Sequence, residues 1–282
     1  MNQTSKFPQA PGPIGIFDSG YGGLTILRQI RSLMPQYDYL YLGDNARAPY
    51  GTRSFDIVYE FTLQAVRYLF EHGCHLVILG CNTASAKALR SIQQNDLPNM
   101  DEKRRVLGVI RPTVEVVGRI SQSRHVGIMA TLGTIRSTTY ELEISKLYPD
   151  IQVTGEACPM WVPLVENEEY DGPGADYFVQ KNINNLLCRD PQIDSIILGC
   201  THYPLLLEKI KKYMPSGIRI IEQGQYVAYS LQDYLHRHPE MLERITTGGT
   251  ANFLTTEQAE AFQNRAATFM GESLVAKRVY LE

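Results

Sequence analysis

Apolar residues in this chain gather in short unbroken runs, and between the runs they recur every three or four positions. The runs are IGIF (14–17), DYLYL (38–42), HLVIL (75–79), RVLGVI (105–110) and RHVGIM (124–129), followed by IQVTGE (151–156), SIIL (195–198), IRII (218–221) and ANFLT (251–255). Runs of this length that do not alternate with polar residues read as strands covered on both faces. The segment FDIVYEFTLQAVRYLFEHG has helical spacing instead and ends on Gly73, a residue type suited to the position just past a helix. Strands alternating with helices predict an α/β fold built on parallel sheets.

In such sheets ligands sit in the crevice beyond the carboxyl ends of the strands. Five strand ends here carry small polar motifs. DSGYGG follows IGIF, GDNARAPYG follows DYLYL, GCNT follows HLVIL, ATLGT follows VGIM and GCTH follows SIIL. Five such ends point to one shared crevice. Two of the junctions are built alike, HLVILGCNTASA (75–86) and SIILGCTHYPLL (195–206), which suggests two related halves. The polar run LPNMDEKRR marks a boundary, giving a first domain over 1–106 with a loose tail over 1–12. A second domain then covers 107–215, and 216–282 returns to the first, the crossing being placed at the Pro-Ser-Gly of 215–217.

Composition narrows the function. With 282 residues, 44% apolar and 20% charged, the chain can bury a large core without staples. A net charge of −3 and no long basic run argue against nucleic acid or an anionic membrane as partner. No run approaches the roughly 18 apolar residues that cross a bilayer. The first residues do not read as a signal peptide, so a cytoplasmic location is expected. Five cysteines without scaffold spacing suit free thiols better than disulfides.

A cysteine between a strand and a helix start lies near orphan N–H groups, which favour thiolate. Asn82, Thr83 and Thr201 are good capping types behind Cys81 and Cys200. A lone Leu-Gly-Cys reads first as a small buried hydrophobe, and two matched ones shift the balance towards chemistry. Zinc would want about four ligands, and beyond Cys81, Cys200 and His202 the chain offers no matching pairs, so no metal is expected. Two thiols facing one carbon centre would instead allow proton removal from one face and return from the other. Asp18 could relay a proton beside Cys81, or simply close an Asx turn. His202 falls in a first helical turn, where the dipole favours neutral imidazole, although an exposed helix-end histidine fits as well. Glu166, among the acids of WVPLVENEE, reads on spacing alone as part of a solvated face. The glycines of DSGYGG match neither nucleotide fingerprint and suit a backbone nest for a carboxylate. Tyr50 with Gly51, Asn82 with Thr83, and Thr131 with Thr134 would add neutral donors.

Taken in order, DSGYGGL, GDNARAPYG, GCNTASA, GTIRS, VPLVE and GCTHYPLL resemble the motifs of the glutamate racemases, cofactor-independent members of the aspartate/glutamate racemase superfamily. The resemblance implies two pseudo-symmetric α/β domains facing each other across a central cleft, and a homodimer. It implies interconversion of L- and D-glutamate without any cofactor, supplying D-glutamate for peptidoglycan. Cys81 would act on D-glutamate with help from Asp18, and Cys200 on L-glutamate with help from Glu166 and His202. Substrate contacts would come from Asp18, Ser19, Tyr50, Gly51, Asn82, Thr83, Thr131, Thr134, Thr201 and His202. Cys74, Cys158 and Cys188 match no catalytic position. Thr113 stands where glycine is usual, and Glu222-Gln223 replaces the more common Asp-Ser or Asp-Pro. Related aspartate racemases tend to carry glutamate at the place of His202, which favours glutamate as substrate. An aspartate or other amino-acid racemase, and a non-catalytic two-domain carboxylate binder, are the competing readings.

Overall fold

The structure, a computed structural model, describes residues 7–282. Its strands are β1 (Ile14–Asp18), β2 (Tyr39–Gly43), β3 (Leu76–Leu79), β4 (Arg105–Gly108) and β5 (His125–Ala130). They continue with β6 (Gln152–Ala157), β7 (Ser195–Gly199), β8 (Arg219–Ile221), β9 (Ala251–Thr255) and β10 (Ala276–Arg278). Every residue of β1, β2, β3 and β7 is buried, which is why their sequences show no alternation. β10 was not legible in the sequence, because Ala-Lys-Arg on an exposed edge carries no apolar signal.

Two parallel sheets result, in the orders β10-β9-β2-β1-β3-β4 and β6-β5-β7-β8. Within each, the first strand of the series lies between the second and the third, with the fourth outside. The halves therefore share one winding, and the two Leu-Gly-Cys junctions end equivalent strands, β3 and β7. This is the α/β architecture that the periodicity and the resemblance imply.

Helices follow their local signals. Ser54 accepts a hydrogen bond from the Ile57 N–H and caps Phe55–Glu71, and Gly73 at φ +87° lies just beyond its end. Among the described residues, no helix is long and apolar enough to cross a membrane.

Three expectations need correction. β4 stays in the first sheet to Gly108, beyond the expected limit of 106. The crossing expected at 215 comes later, because β8 pairs with β7 (Ile196 with Ile220) and so belongs to the second sheet. Gly217, at φ +98°, turns the chain into that edge strand rather than out of the domain. The return is made by the helix Gln223–Arg237, which packs on Gly23–Leu33, and then by β9 against β2. Finally, the tail is not loose over 7–12. Phe7 packs edge-on against Phe70 with ring centroids 5.6 Å apart, and the buried Arg104 guanidinium donates to the Pro8 carbonyl. Gly12 bridges to Ile245. The first six residues of that tail lie outside the described residues.

Candidate active site

The two matched junctions produce different local structures. After β3, Cys81 is extended and caps the short helix Asn82–Lys87, its Sγ accepting from the Ala84 N–H at 3.4 Å. After β7, Cys200 is followed by a turn and a 3-10 helix, Tyr203–Leu206, which it does not cap. Neither sulfur is in a disulfide, and each residue is 6% exposed.

Around Cys81 the surroundings are acidic. Ser19 Oγ lies 3.3 Å from its sulfur. Asp18, fully buried, accepts from the Gly20 N–H at 2.9 Å. Burial raises the Cys81 thiol to about 12, with the Asp18 charge adding to it, against weaker support from Ser19 and the Ala84 N–H. Desolvation beside a carboxylate thus works against the thiolate that the helix N-terminus favours at this position. Burial likewise raises Asp18 above the usual carboxylate range, opposed by the cationic His202 and the Gly20 N–H.

Around Cys200 the surroundings carry a cation. His202 Nδ1 lies 3.9 Å from its sulfur, and Nε2 lies 3.0 Å from Glu166 Oε1. Burial alone would lower this imidazole, but the Cys200 and Glu166 hydrogen bonds outweigh it and hold it at about 10. The neutral imidazole expected from the helix dipole is thus corrected, because the hydrogen bonds to Cys200 and Glu166 dominate. Glu166 leaves the solvated face assigned to it by spacing and lines the central cavity.

That cavity, about 100 Å³, lies between the strand ends of the two sheets and suits a small molecule. It is lined by Ser19, Tyr50, Gly51, Cys81, Asn82 and Thr83 from the first domain. Thr131, Glu166, Cys200, Thr201 and His202 line it from the second. Of the expected residues, Asp18 and Thr134 lie outside the lining. Thr134 supports it instead, its hydroxyl 3.1 Å from Thr131 Oγ1, which is itself 2.9 Å from Thr83 Oγ1. The Tyr50 hydroxyl is not a free donor, since it donates to Asp44.

Within DSGYGG, close packing requires Gly22. A Cβ on Gly22 would come within 2.1 Å of Thr201 Oγ1 and 2.6 Å of His202 Nδ1, so this glycine lets the two domains touch at the site. The Gly133 N–H donates to the Gly51 carbonyl at 2.8 Å, and Thr25 Oγ1 to the Thr201 carbonyl at 3.1 Å, across the same seam. Sequence reasoning missed Cys158, Pro159, Val162 and Pro163 in the wall. Cys158 is fully buried, and burial holds its thiol well above the ordinary range. The signal was available, because Cys158 also follows the carboxyl end of a strand, β6.

The Asp/Glu/Hydantoin racemase family model matches residues 24–229. The glutamate racemase of Ruegeria sp. (strain TM1040) is 40% identical over 267 residues, spanning 91% of this chain and 96% of that relative. Among solved structures, a glutamate racemase isoform from Bacillus anthracis superposes with a TM-score of 0.87 at 32% identity, covering 96% of this chain and 98% of its own. The glutamate racemase of Francisella tularensis in complex with D-glutamate gives a TM-score of 0.85 at 31% identity, with the same coverage. The shared winding of the two sheets, the pair of thiols on one cavity and these likenesses agree: the chain belongs to the Asp/Glu/Hydantoin racemase family, among its glutamate racemases.

Proposed function

We propose that this protein interconverts L- and D-glutamate by proton transfer between two cysteines, without a cofactor, and supplies D-glutamate for peptidoglycan. The observation that carries the reading is the pair of free thiols at equivalent strand ends of two sheets, both lining one small cavity. D-Glutamate bound to the Francisella relative supports glutamate as the substrate.

The substrate carboxylates are held by neutral donors, the hydroxyls of Thr83 and Thr131, the Asn82 amide and backbone N–H groups. Uncharged donors fix the molecule while leaving the α-carbon open on both faces. Cys81, as thiolate, takes the α-proton of D-glutamate while Cys200, as thiol, returns a proton to the opposite face. For L-glutamate the roles exchange. Each turnover leaves one sulfur protonated and the other bare, so the pair must be reset. Asp18 relays protons for Cys81, and His202 with Glu166 does so for Cys200.

Incubation in D₂O with L-glutamate should drive the circular dichroism signal to zero and place one deuteron on the α-carbon of the product. Racemisation of aspartate alone would overturn the substrate assignment. Binding of glutamate by calorimetry with no α-deuterium would leave a binding protein, not an enzyme.

A further inference from the structure

Behind Asn82 lies a closed hydrogen-bond circuit that reaches from one domain to the other. Gln223, first residue of the helix Gln223–Arg237, accepts from Asn82 Nδ2 at 2.7 Å through Oε1. Its Nε2 donates to the Tyr140 hydroxyl at 2.7 Å and to Thr113 Oγ1 at 3.0 Å. Tyr140 completes the ring by donating to Asn82 Oδ1 at 2.8 Å. All four residues are at least 96% buried, Gln223 being the most accessible at 4%.

The chemistry of the circuit leaves little freedom. A primary amide has two N–H donors and one carbonyl acceptor. Both amide oxygens are engaged, and Gln223 places its N–H groups on two hydroxyls. Of the two Asn82 N–H groups, Gln223 takes one, and the other is left for whatever occupies the cavity that Asn82 lines. Rotating the Asn82 amide by half a turn would set its oxygen against the Gln223 oxygen and its N–H groups against the donating Tyr140 hydroxyl, so its orientation is fixed by its partners.

Position matters as much as polarity. Asn82 follows Cys81 in the first domain, whereas Tyr140 and Thr113 sit on helices Thr139–Leu147 and Ile110–Ile120, which pack beside the second sheet. Gln223 stands where the chain leaves the second sheet, and with Cys200 and Thr201 it lines a small second cavity of about 150 Å³. It thus touches the surroundings of both thiols without facing the substrate cavity.

We infer that Gln223 is a positioning residue for racemisation: through Asn82 and Tyr140 it orients the substrate-facing amide and sets the register of the two thiol-bearing domains. The inference rests on the two-thiol reading above. A displacement of about 1 Å at a reacting centre can cost on the order of 100-fold in rate. Gln223→Met, which keeps length and apolar volume, should lower kcat by roughly 10–100-fold with a smaller change in KM, while far-UV circular dichroism is retained. Tyr140→Phe breaks the same ring from the other side and keeps its packing, and it serves if Gln223→Met folds poorly. In a double-mutant cycle the pair should cost little more than the worse single variant, because either change opens the circuit.

A second readout separates positioning from general loosening. In D₂O with L-glutamate, a loosened thiol gap should raise the ratio of deuterium in unreacted L-glutamate to deuterium in D-glutamate, relative to wild type. An unchanged ratio with kcat near wild type in Gln223→Met, or additive losses in the cycle, would overturn the inference while leaving the racemase reading intact. Wild-type protein that turns over no glutamate would overturn the racemase reading itself, and this inference with it.

Discussion

Cys81 and Cys200 end equivalent strands in two sheets of the same winding, yet their surroundings carry opposite charge. Cys81 caps a helix beside Ser19 and a buried Asp18, and its thiol is pushed up to about 12. Cys200 caps nothing and faces an imidazole held at about 10 by Glu166 and Cys200 itself. Matched backbones place two sulfurs on one cavity, and unmatched neighbours give the two a different electrostatic setting. The proposed two-thiol transfer, which starts with one thiol bare and the other loaded, would gain from that asymmetry.

The largest expected effect comes from removing either sulfur. Cys81→Ser and Cys200→Ser should each lower kcat by roughly 1,000-fold in both directions, since a hydroxyl is a far weaker acid and base partner for an α-proton. Loss in only one of the two would break the equivalence of the junctions.

A smaller effect isolates the cationic side. Folding raises His202 from 6.5 to about 10, so its stabilising contribution is complete below pH 6.5 and is lost as pH rises through about 10. Glu166→Gln removes one of the two partners that hold the proton. Its melting midpoint should fall several degrees below wild type at pH 7, with the gap narrowing by pH 10. A gap that stays constant across that range would show that Glu166 acts by packing and not through the His202 charge.

The smallest effect tests the third sulfur in the wall. Cys158 accompanies the site without an acid or base partner, its hydrogen bond being a long one, 3.7 Å, to the Glu156 carbonyl. Cys158→Ala should keep kcat within about threefold of wild type, because a buried neutral thiol behaves as a small hydrophobe. A loss comparable to that of Cys200→Ser would require three acting sulfurs and undo the pairwise comparison.

Short apolar runs separated by helical spacing mark strands, so nine of the ten strands among the described residues and the parallel class were readable from the chain alone. So were the strand-end motifs, because polar residues after a buried run have nowhere to go but the crevice. The edge strand β10 and the tail at Phe7 were not, since edge pairing and packing on Phe70 depend on partners far away in sequence. Glu166 illustrates the same limit at the site: among other acids it looks solvated, and only the helix Trp161–Glu166 brings it to His202. Thr113 and Gln223, both departures from the motif pattern, looked unrelated until the fold bonded them to each other across 110 positions.

Local spacing determined where the cysteines stand, at the mouths of two strands, because strand, turn and helix start are decided within a dozen residues. The charges around those sulfurs were decided by the tertiary structure. Desolvation and Coulomb interaction depend on distance in space, and the residues that supply them, Asp18 for one and Glu166 for the other, come from remote parts of the chain.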